Sequence, residues 1–336
     1  MANAATAPVS KRRTSRRSPA RHWLVQNTPL VLSFVILAIT LSAWIFFYYG
    51  EIGRFPDTFD VTQVTNSSLP LVFAALGQSF VVLTRGLDLS VGGTISLSTA
   101  VTAQMMSDSP GSILFWSAVV LVMGAVIGLV NGLLVARARL APILVTLATL
   151  SILQGLAIFV LPKPGGLVPT TLTDVLTSRS APTGLLFVAL ALLGWFVFRR
   201  STLGEQVFAL GNDESAARAH GVPVTRAKVL AYVLSGVCAS IAGLFVAATT
   251  TSGDATIGNP FVLTSIAAVV LGGISFFGGR GSAVGAVVGA FVLGLIVNVL
   301  FFAGINPLYQ SLYEGLFLIL AVVLGLAASR VSGGRA

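Results

Sequence analysis

The chain is a succession of apolar runs separated by short polar connections, and the run lengths are those of membrane-crossing helices. A hydrocarbon core of about 30 Å needs about 20 apolar residues as helix. Residues 30–49 meet that length, with Trp44, Tyr48 and Tyr49 where aromatic side chains settle at a lipid–water boundary. The run is too long for the core of a cleavable leader and lacks a small-x-small cleavage site, so it reads as a retained anchor. Further runs follow at about 62–84, 90–106, 113–136, 141–161, 183–198, 229–250, 262–277, 282–302 and 308–328. The pattern predicts an all-α, polytopic membrane helical bundle of about ten transmembrane helices. Three runs are weaker: 62–84 begins polar, while 90–106 and 262–277 are short and rich in Gly or Ser. Broken or re-entrant segments there would lower the number of full spans to eight or nine.

The polar connections carry a strong asymmetry. With ten spans and the amino terminus inside, inner loops hold 17 of the Lys and Arg residues and outer loops only Arg54, Lys163 and Arg179. That is the positive-inside bias of a membrane protein. It divides the chain into a basic cytoplasmic tail (1–29), a transmembrane domain (30–328) and a short cytoplasmic carboxy-terminal tail (329–336). The largest inner loop, about 199–228, contains Asp213, Glu214 and an alanine-rich stretch that favours a short helix, stopped by Gly221 and Pro223. An ordinary solvated loop helix fits these residues equally well. The outer connection 162–182 is rich in Pro, Gly and Thr and reads as exposed.

Composition sharpens this picture. Hydrophobic residues make up 55% of the 336 residues and charged residues only 9%, against about 25% charged in soluble domains; mean hydropathy is +0.93. One cysteine, Cys238, and two separated histidines, His22 and His220, argue against a disulfide or a clustered metal centre. The three lysines, Lys11, Lys163 and Lys228, all lie outside a G-x-x-x-x-G-K-[ST] phosphate loop, so an ATP-driven role requires another polypeptide. The net charge of +9 is concentrated before the first span, which points to membrane orientation rather than nucleic acid. No general acid/base pair or nucleophile–base arrangement emerges, so the expectation is a non-enzyme without a cofactor of its own.

An internal echo is visible. Gly124, Gly128 and Gly132 in the fourth run recur as Gly281, Gly285 and Gly289 in the ninth, and asparagines follow at Asn131 and Asn298. Glycines four apart line one helix face and admit a close neighbour. Runs four and nine would cross in opposite directions, as in an inverted repeat of five spans; similar Gly-rich composition alone would give the same echo.

Several segments resemble one family. Gly86-Leu-Asp88-Leu-Ser90-Val-Gly92-Gly93, then Asn131-Gly-Leu-Leu-Val with Ala141-Pro142-Ile-Leu-Val-Thr146-Leu, then Ala267 to Ser282 are similar, in order, to the signatures of ribose/xylose-type ABC transporter permeases over roughly 60–328. The resemblance implies the membrane subunit of a binding-protein-dependent importer for a monosaccharide or small polyol in a prokaryotic inner membrane. It also implies three protein partners: an ATPase that binds ATP and magnesium, an extracytoplasmic sugar-binding protein, and a second permease copy or paralogue. In this family a cytoplasmic coupling helix, E-A-A-x-x-x-G, docks on the ATPase. Here Ala216, Ala217 and Gly221 keep the spacing, Ser215 stands at the Glu position, Glu214 lies one residue earlier, and Gly204 belongs to the segment leading in.

Polar residues within the runs are the translocation-path candidates: Asp88, Ser90, Asn131, Asn298 and Glu314, with Gln78 and Gln154 beside them. Interhelical hydrogen bonding is the commoner role for such groups. Arg85 and Asp88 would pair with each other or cap the third helix. An autonomous ion-coupled transporter or channel is the alternative function, disfavoured by the scarcity of embedded charge.

Overall fold

The computed structural model describes residues 19–178, 181–306, 309, 312, 313, 315, 316 and 319, with side chains from residue 29 onward. The described residues form twelve helices: α1 (Pro19–Ile52), α2 (Thr58–Leu83), α3 (Ser90–Met105), α4 (Pro110–Ala136), α5 (Pro142–Val160), α6 (Thr170–Thr177), α7 (Thr183–Arg200), α8 (Thr202–Asn212), α9 (Glu214–Ala219), α10 (Val224–Thr250), α11 (Asn259–Leu271) and α12 (Ala283–Phe302). Among them the only extended pairing is a bridge between Gly165 and Gly253.

Nine predicted runs coincide with α1 to α5, α7 and α10 to α12; the run at 308–328, including Glu314, lies largely outside the described residues. Seven of the nine helices, all but α3 and α11, are long and apolar enough to cross a bilayer. With 16 and 13 residues, α3 and α11 span only about 24 Å and 20 Å. Short helices at membrane depth are tolerated when protein covers their ends, and all but three residues of α3 are buried.

Burial sorts the bundle. The most apolar stretch of α2 is 94% buried, that of α4 only 17%, so α2 sits at the centre with α10 beside it, while α1, α4, α5 and α7 form the periphery. Phe46, Leu114, Phe159 and Val197 stand exposed there, an apolar surface that suits lipid. The polar start of α2 has a local explanation. Asp57 and Asp60 form a reciprocal capping box, and Arg54 pairs with both at 3.1 and 2.7 Å.

The glycine ladders mark backbone contacts. Gly124 and Gly128 of α4 lie on Gly236 and the Tyr232 backbone of α10, while Gly285 and Gly289 of α12 lie on Gly272 and Ala268 of α11 and its end. The two ladders therefore meet different helices. Most described residues of the connection 162–182 are exposed, as expected, but its middle folds back on the bundle. Asp108 accepts hydrogen bonds from Thr170 Oγ1 (2.8 Å) and the Thr171 amide (3.2 Å), which starts α6. Leu172 of α6 is then buried with Met106, Val120 and Leu244.

Loops gather at two ends. The segment after α2 meets the end of α8 and the α11–α12 loop. At the other end Asp108 meets Thr170, and Gly253 meets Gly165. The Arg-bearing loops 84–89, 199–228 and 272–282 thus share one end.

Candidate functional site

The inner loop is built as two short helices. Ser201 starts α8 by accepting the Gly204 amide at 3.2 Å, and Gly204 is buried where a Cβ would strike the Phe198 carbonyl. The Arg199 guanidinium lies 4.1 Å over the Phe208 ring and fixes the α7–α8 corner. Asp213 then starts α9 as its N-cap, accepting the Ser215 and Ala216 amides at 2.8 and 3.0 Å.

The far end of α9 closes as a Schellman motif. Val222 N–H donates to the Ala217 carbonyl (3.0 Å) and Gly221 N–H to that of Arg218 (3.1 Å). Gly221 has φ +79° with nothing within 4 Å of a Cβ position, so the residue is required by conformation rather than by space. Ala217 is buried; Ser215, Ala216, Arg218, Ala219 and His220 are exposed. Glu214 does not reach outward: it pairs with Lys228 of α10 at 2.8 Å and with Arg218 at 3.1 Å. The Lys228 hydrogen bond is the leading influence holding the Glu214 carboxyl below its ordinary range. The hydroxyl hydrogen bond from Ser215 does the same for Asp213. Beside α9 lies an open depression of about 630 Å³ lined by Leu133, Arg218, Val222, Arg226 and Leu230 among others.

This loop is fastened to α2. Arg85 adopts φ +63°, a region that side chains other than Gly, Asn and Asp rarely visit. Its Nε donates to the Gly211 carbonyl at 2.8 Å and its Nη2 to that of Asn212. Both carbonyls belong to the last turn of α8, where a cation is favoured. Gly279 N–H donates to the Leu83 carbonyl (3.1 Å) and joins the α11–α12 loop to the same junction. Arg85 therefore turns away from Asp88, and of the expected alternatives the ion pair is not formed.

Asp88 instead heads a buried polar tie. Its Oδ1 accepts the Ser90 amide (3.0 Å) and hydroxyl (2.5 Å), and its Oδ2 accepts the Ser235 hydroxyl (2.7 Å). Asn131 Nδ2 donates to Ser90 Oγ (2.9 Å), and Thr149 Oγ1 donates to Asn131 Oδ1 (2.6 Å). The Tyr232 hydroxyl reaches the Leu87 carbonyl at 3.3 Å. Four sequence-predicted elements (the α2–α3 loop, α4, α5 and α10) are stitched by one chain of hydrogen bonds. Asp88, Ser90, Asn131 and Ser235 are all essentially inaccessible. Three hydrogen bonds and no cation among the described residues hold the Asp88 carboxylate, so in this state the network fastens helices together.

Asn298 stands apart and donates to Gly294 of its own helix at 2.9 Å. Gln78 is fully buried and neither of its amide atoms is paired among the described residues, and Gln154 donates to the Ala255 carbonyl. Sequence reasoning missed Ser235, Thr149, Tyr232 and Lys228. A lone Ser or Thr in an apolar helix carries no signal of its partner, whereas Lys228, 14 residues after Glu214, is legible only once α9 and α10 are seen to fold together. Among the described residues no group of three or more His, Cys, Asp or Glu is placed to hold a metal.

A bundle of apolar helices with a small-residue helix projecting from the cation-rich end defines the class, a transport permease. The profile of the branched-chain amino acid transport system / permease component family matches residues 61–322, and the chain belongs to that family. The chain is 32% identical over 323 residues to the ribose import permease protein RbsC of Escherichia coli (strain K12), covering 93% of this chain and 97% of that protein. It is 30% identical over 306 residues to the D-allose transport system permease protein AlsC of the same organism (89% and 92% covered). It is 32% identical over 326 residues to the fructose import permease protein FrcC of Rhizobium meliloti (90% and 87% covered). No solved structure gives a significant match.

Proposed function

We propose that the chain is the membrane subunit of an ABC importer that passes a monosaccharide or related small polyol inward, powered by a separate ATPase. The observation that carries this reading is α9. It is a capped, six-residue helix whose exposed side carries Ser215, Ala216 and Ala219 beside Arg218, itself paired with Glu214, and whose ends are fixed by Asp213 and Gly221. Such a face suits docking into a cleft, and its charged neighbour Glu214 is already engaged within the chain. The solute class follows from the relatives, whose names specify ribose, allose and fructose.

In this reading ATP and magnesium sit in the ATPase, a sugar-binding protein delivers the solute outside, and a second copy or paralogue completes the pair. The chain lies in a prokaryotic inner membrane with cytoplasmic tails at 1–29 and 329–336 flanking the domain 30–328. Arg85 links the end of α8 to the loop bearing Asp88, and thereby couples the docking loop to the polar tie. Asp88, Ser90 and Asn131 then form the seam that parts as the path opens. Asn298 and Glu314 belong to the same path by sequence position.

An inverted repeat, ten spans in two halves of five, draws support from runs two to four and seven to nine, all of which lie among the described residues. Asp88-Leu-Ser90-Val-Gly92 and Asp254-Ala-Thr256-Ile-Gly258 repeat a D-x-[ST]-x-G pattern. Each Asp Oδ1 accepts both the amide and the hydroxyl two residues on, and Gly92 and Gly258 abut each other. In addition α2 packs on α11 and α12 as α10 packs on α3 and α4.

Affinity purification of the tagged chain from its own cells tests the central reading. The wild type should bring an ATP-binding subunit with it, while deletion of 213–221 or Ala216→Trp should lose it. Retained association after the deletion would refute docking through α9.

A further inference from the structure

Residues 251–258, between α10 and α11, contain no helix yet run along the side of α3. Gly253 packs against Ala103 and Leu161 and pairs with Gly165 at 2.7 and 2.9 Å. The Ala255 carbonyl takes the Gln154 amide of α5. Gly258 N–H donates to Ser96 Oγ at 3.0 Å, and Gly258 abuts Gly92. From Ala103 back to Gly92 is about 17 Å of helix, more than half of a hydrocarbon core of about 30 Å. Non-helical backbone at such depth faces protein or water, not lipid.

The protein-facing side of the segment is evident, because Gly253, Ala255 and Gly258 are buried. The other side is polar and open: Thr256 and Asn259 are exposed and Asp254 is half-buried. Asp254 Oδ1 accepts the Thr256 amide (2.7 Å) and hydroxyl (2.8 Å). Among the described residues its Oδ2 has no hydrogen bond and the carboxylate has no cation beside it. Asp254 sits beside Gly253 close to the outer loops, while Asn259 follows Gly258 level with the first turn of α3, so the exposed polar side runs from the loop-bearing end inward, where polar groups face water or a partner rather than lipid. The contrast with α5 is sharp, where the large apolar side chain of Phe159 is 83% exposed. The equivalent Asp88 is sealed by Ser235 and Asn131, whereas Asp254 is not.

We propose that Asp254, Thr256 and Asn259 form a water-facing wall of the solute path. Asp254 Oδ2 accepts hydrogen bonds from hydroxyl groups of the passing solute, and the Asn259 amide donates and accepts beside it. The choice of a polyol rests on the importer reading; contact with water rests on depth and exposure alone.

Two measurements keep these apart. In a Cys238→Ala background, Thr256→Cys, Asn259→Cys and Phe159→Cys are treated in intact membranes with a charged, membrane-impermeant methanethiosulfonate, which needs a hydrated thiolate. The first two should be modified and Phe159→Cys should not. Failure of both path cysteines to react, while they react after solubilisation and unfolding, would overturn the proposal, as would equal reactivity of Phe159→Cys. Asp254→Asn should raise the KM for uptake of ribose, allose or fructose and leave the maximal rate largely intact; an unchanged KM would remove the hydroxyl-binding role. Modified path cysteines in a chain that takes up none of these solutes would defeat the importer reading and leave the hydrated wall standing.

Discussion

At the scale of residues, four positions govern the inner loop. Gly221 holds a left-handed conformation that costs an L-residue about 1–2 kcal/mol, so Gly221→Ala should fray α9 by about that amount. Hydrogen exchange of the 214–222 amides checks this, and unchanged protection would contradict the Schellman closure. Asp213 and Glu214 both have carboxyl groups held below their ordinary range, by Ser215 and by Lys228 in first place. Such groups stabilise the fold above the unfolded-state pKa, and that stability is lost as pH falls through the lowered folded values. On the proposed reading, in which α9 docks an ATPase, that association should therefore be constant through neutral pH and weaken below about pH 4. Weakening confined to pH 6–7 would point to a histidine instead. Arg85 is strained where glycine would be relaxed, so Arg85→Gly should fold normally yet cut the tie to Gly211 and Asn212. The expected result is continued ATP hydrolysis with less solute moved per ATP; an unchanged ratio would exclude Arg85 from coupling. The sequence made Asp88, Ser90 and Asn131 recognisable as polar groups in apolar surroundings. Their mutual hydrogen bonds were hidden because the spacing from 90 to 131 to 149 acquires meaning only in three dimensions.

At the scale of elements, helix packing follows the glycines. A Cβ on Gly128 would strike the Tyr232 carbonyl and the Val233 backbone, whereas one on Gly155 of α5 would meet nothing within 4 Å among the described residues. Gly128→Leu should abolish the folded, monodisperse species in detergent. Gly155→Leu should shift the melting point little, as surface changes rarely exceed about 0.5 kcal/mol. Comparable losses from the two would contradict the α4–α10 contact. Long apolar helices were legible because twenty consecutive apolar residues admit little else. The runs at 90–106 and 262–277 were ambiguous for a physical reason: α3 is enclosed by protein and α11 is preceded by non-helical backbone packed along α3, so neither helix had to match the bilayer thickness by itself. The helix α6 was missed because its signal, Asp108 capping Thr170 and Thr171, comes from 62 residues away. The glycine echo between α4 and α12 is real in sequence but serves different contacts. The Asp-x-Ser/Thr-x-Gly echo is the one whose two copies meet.

At the scale of the whole molecule, the loops carrying Arg85, Arg199, Arg218, Arg226 and Arg280 share the end that presents α9, which is what the charge asymmetry along the chain predicted. The apolar periphery and the central, enclosed α2 and α10 divide the bundle into a lipid-facing shell and a core fastened by the Asp88 network. A core of that kind moves as blocks rather than residue by residue, which suits a gate driven from outside itself. Uptake of ribose, allose and fructose by proteoliposomes, with and without the co-purified ATPase and internal ATP, tests this most directly. Uptake that requires both ATPase and ATP, and persists when ion gradients are collapsed, is the expected result; uptake by the chain alone under a proton or sodium gradient would contradict it.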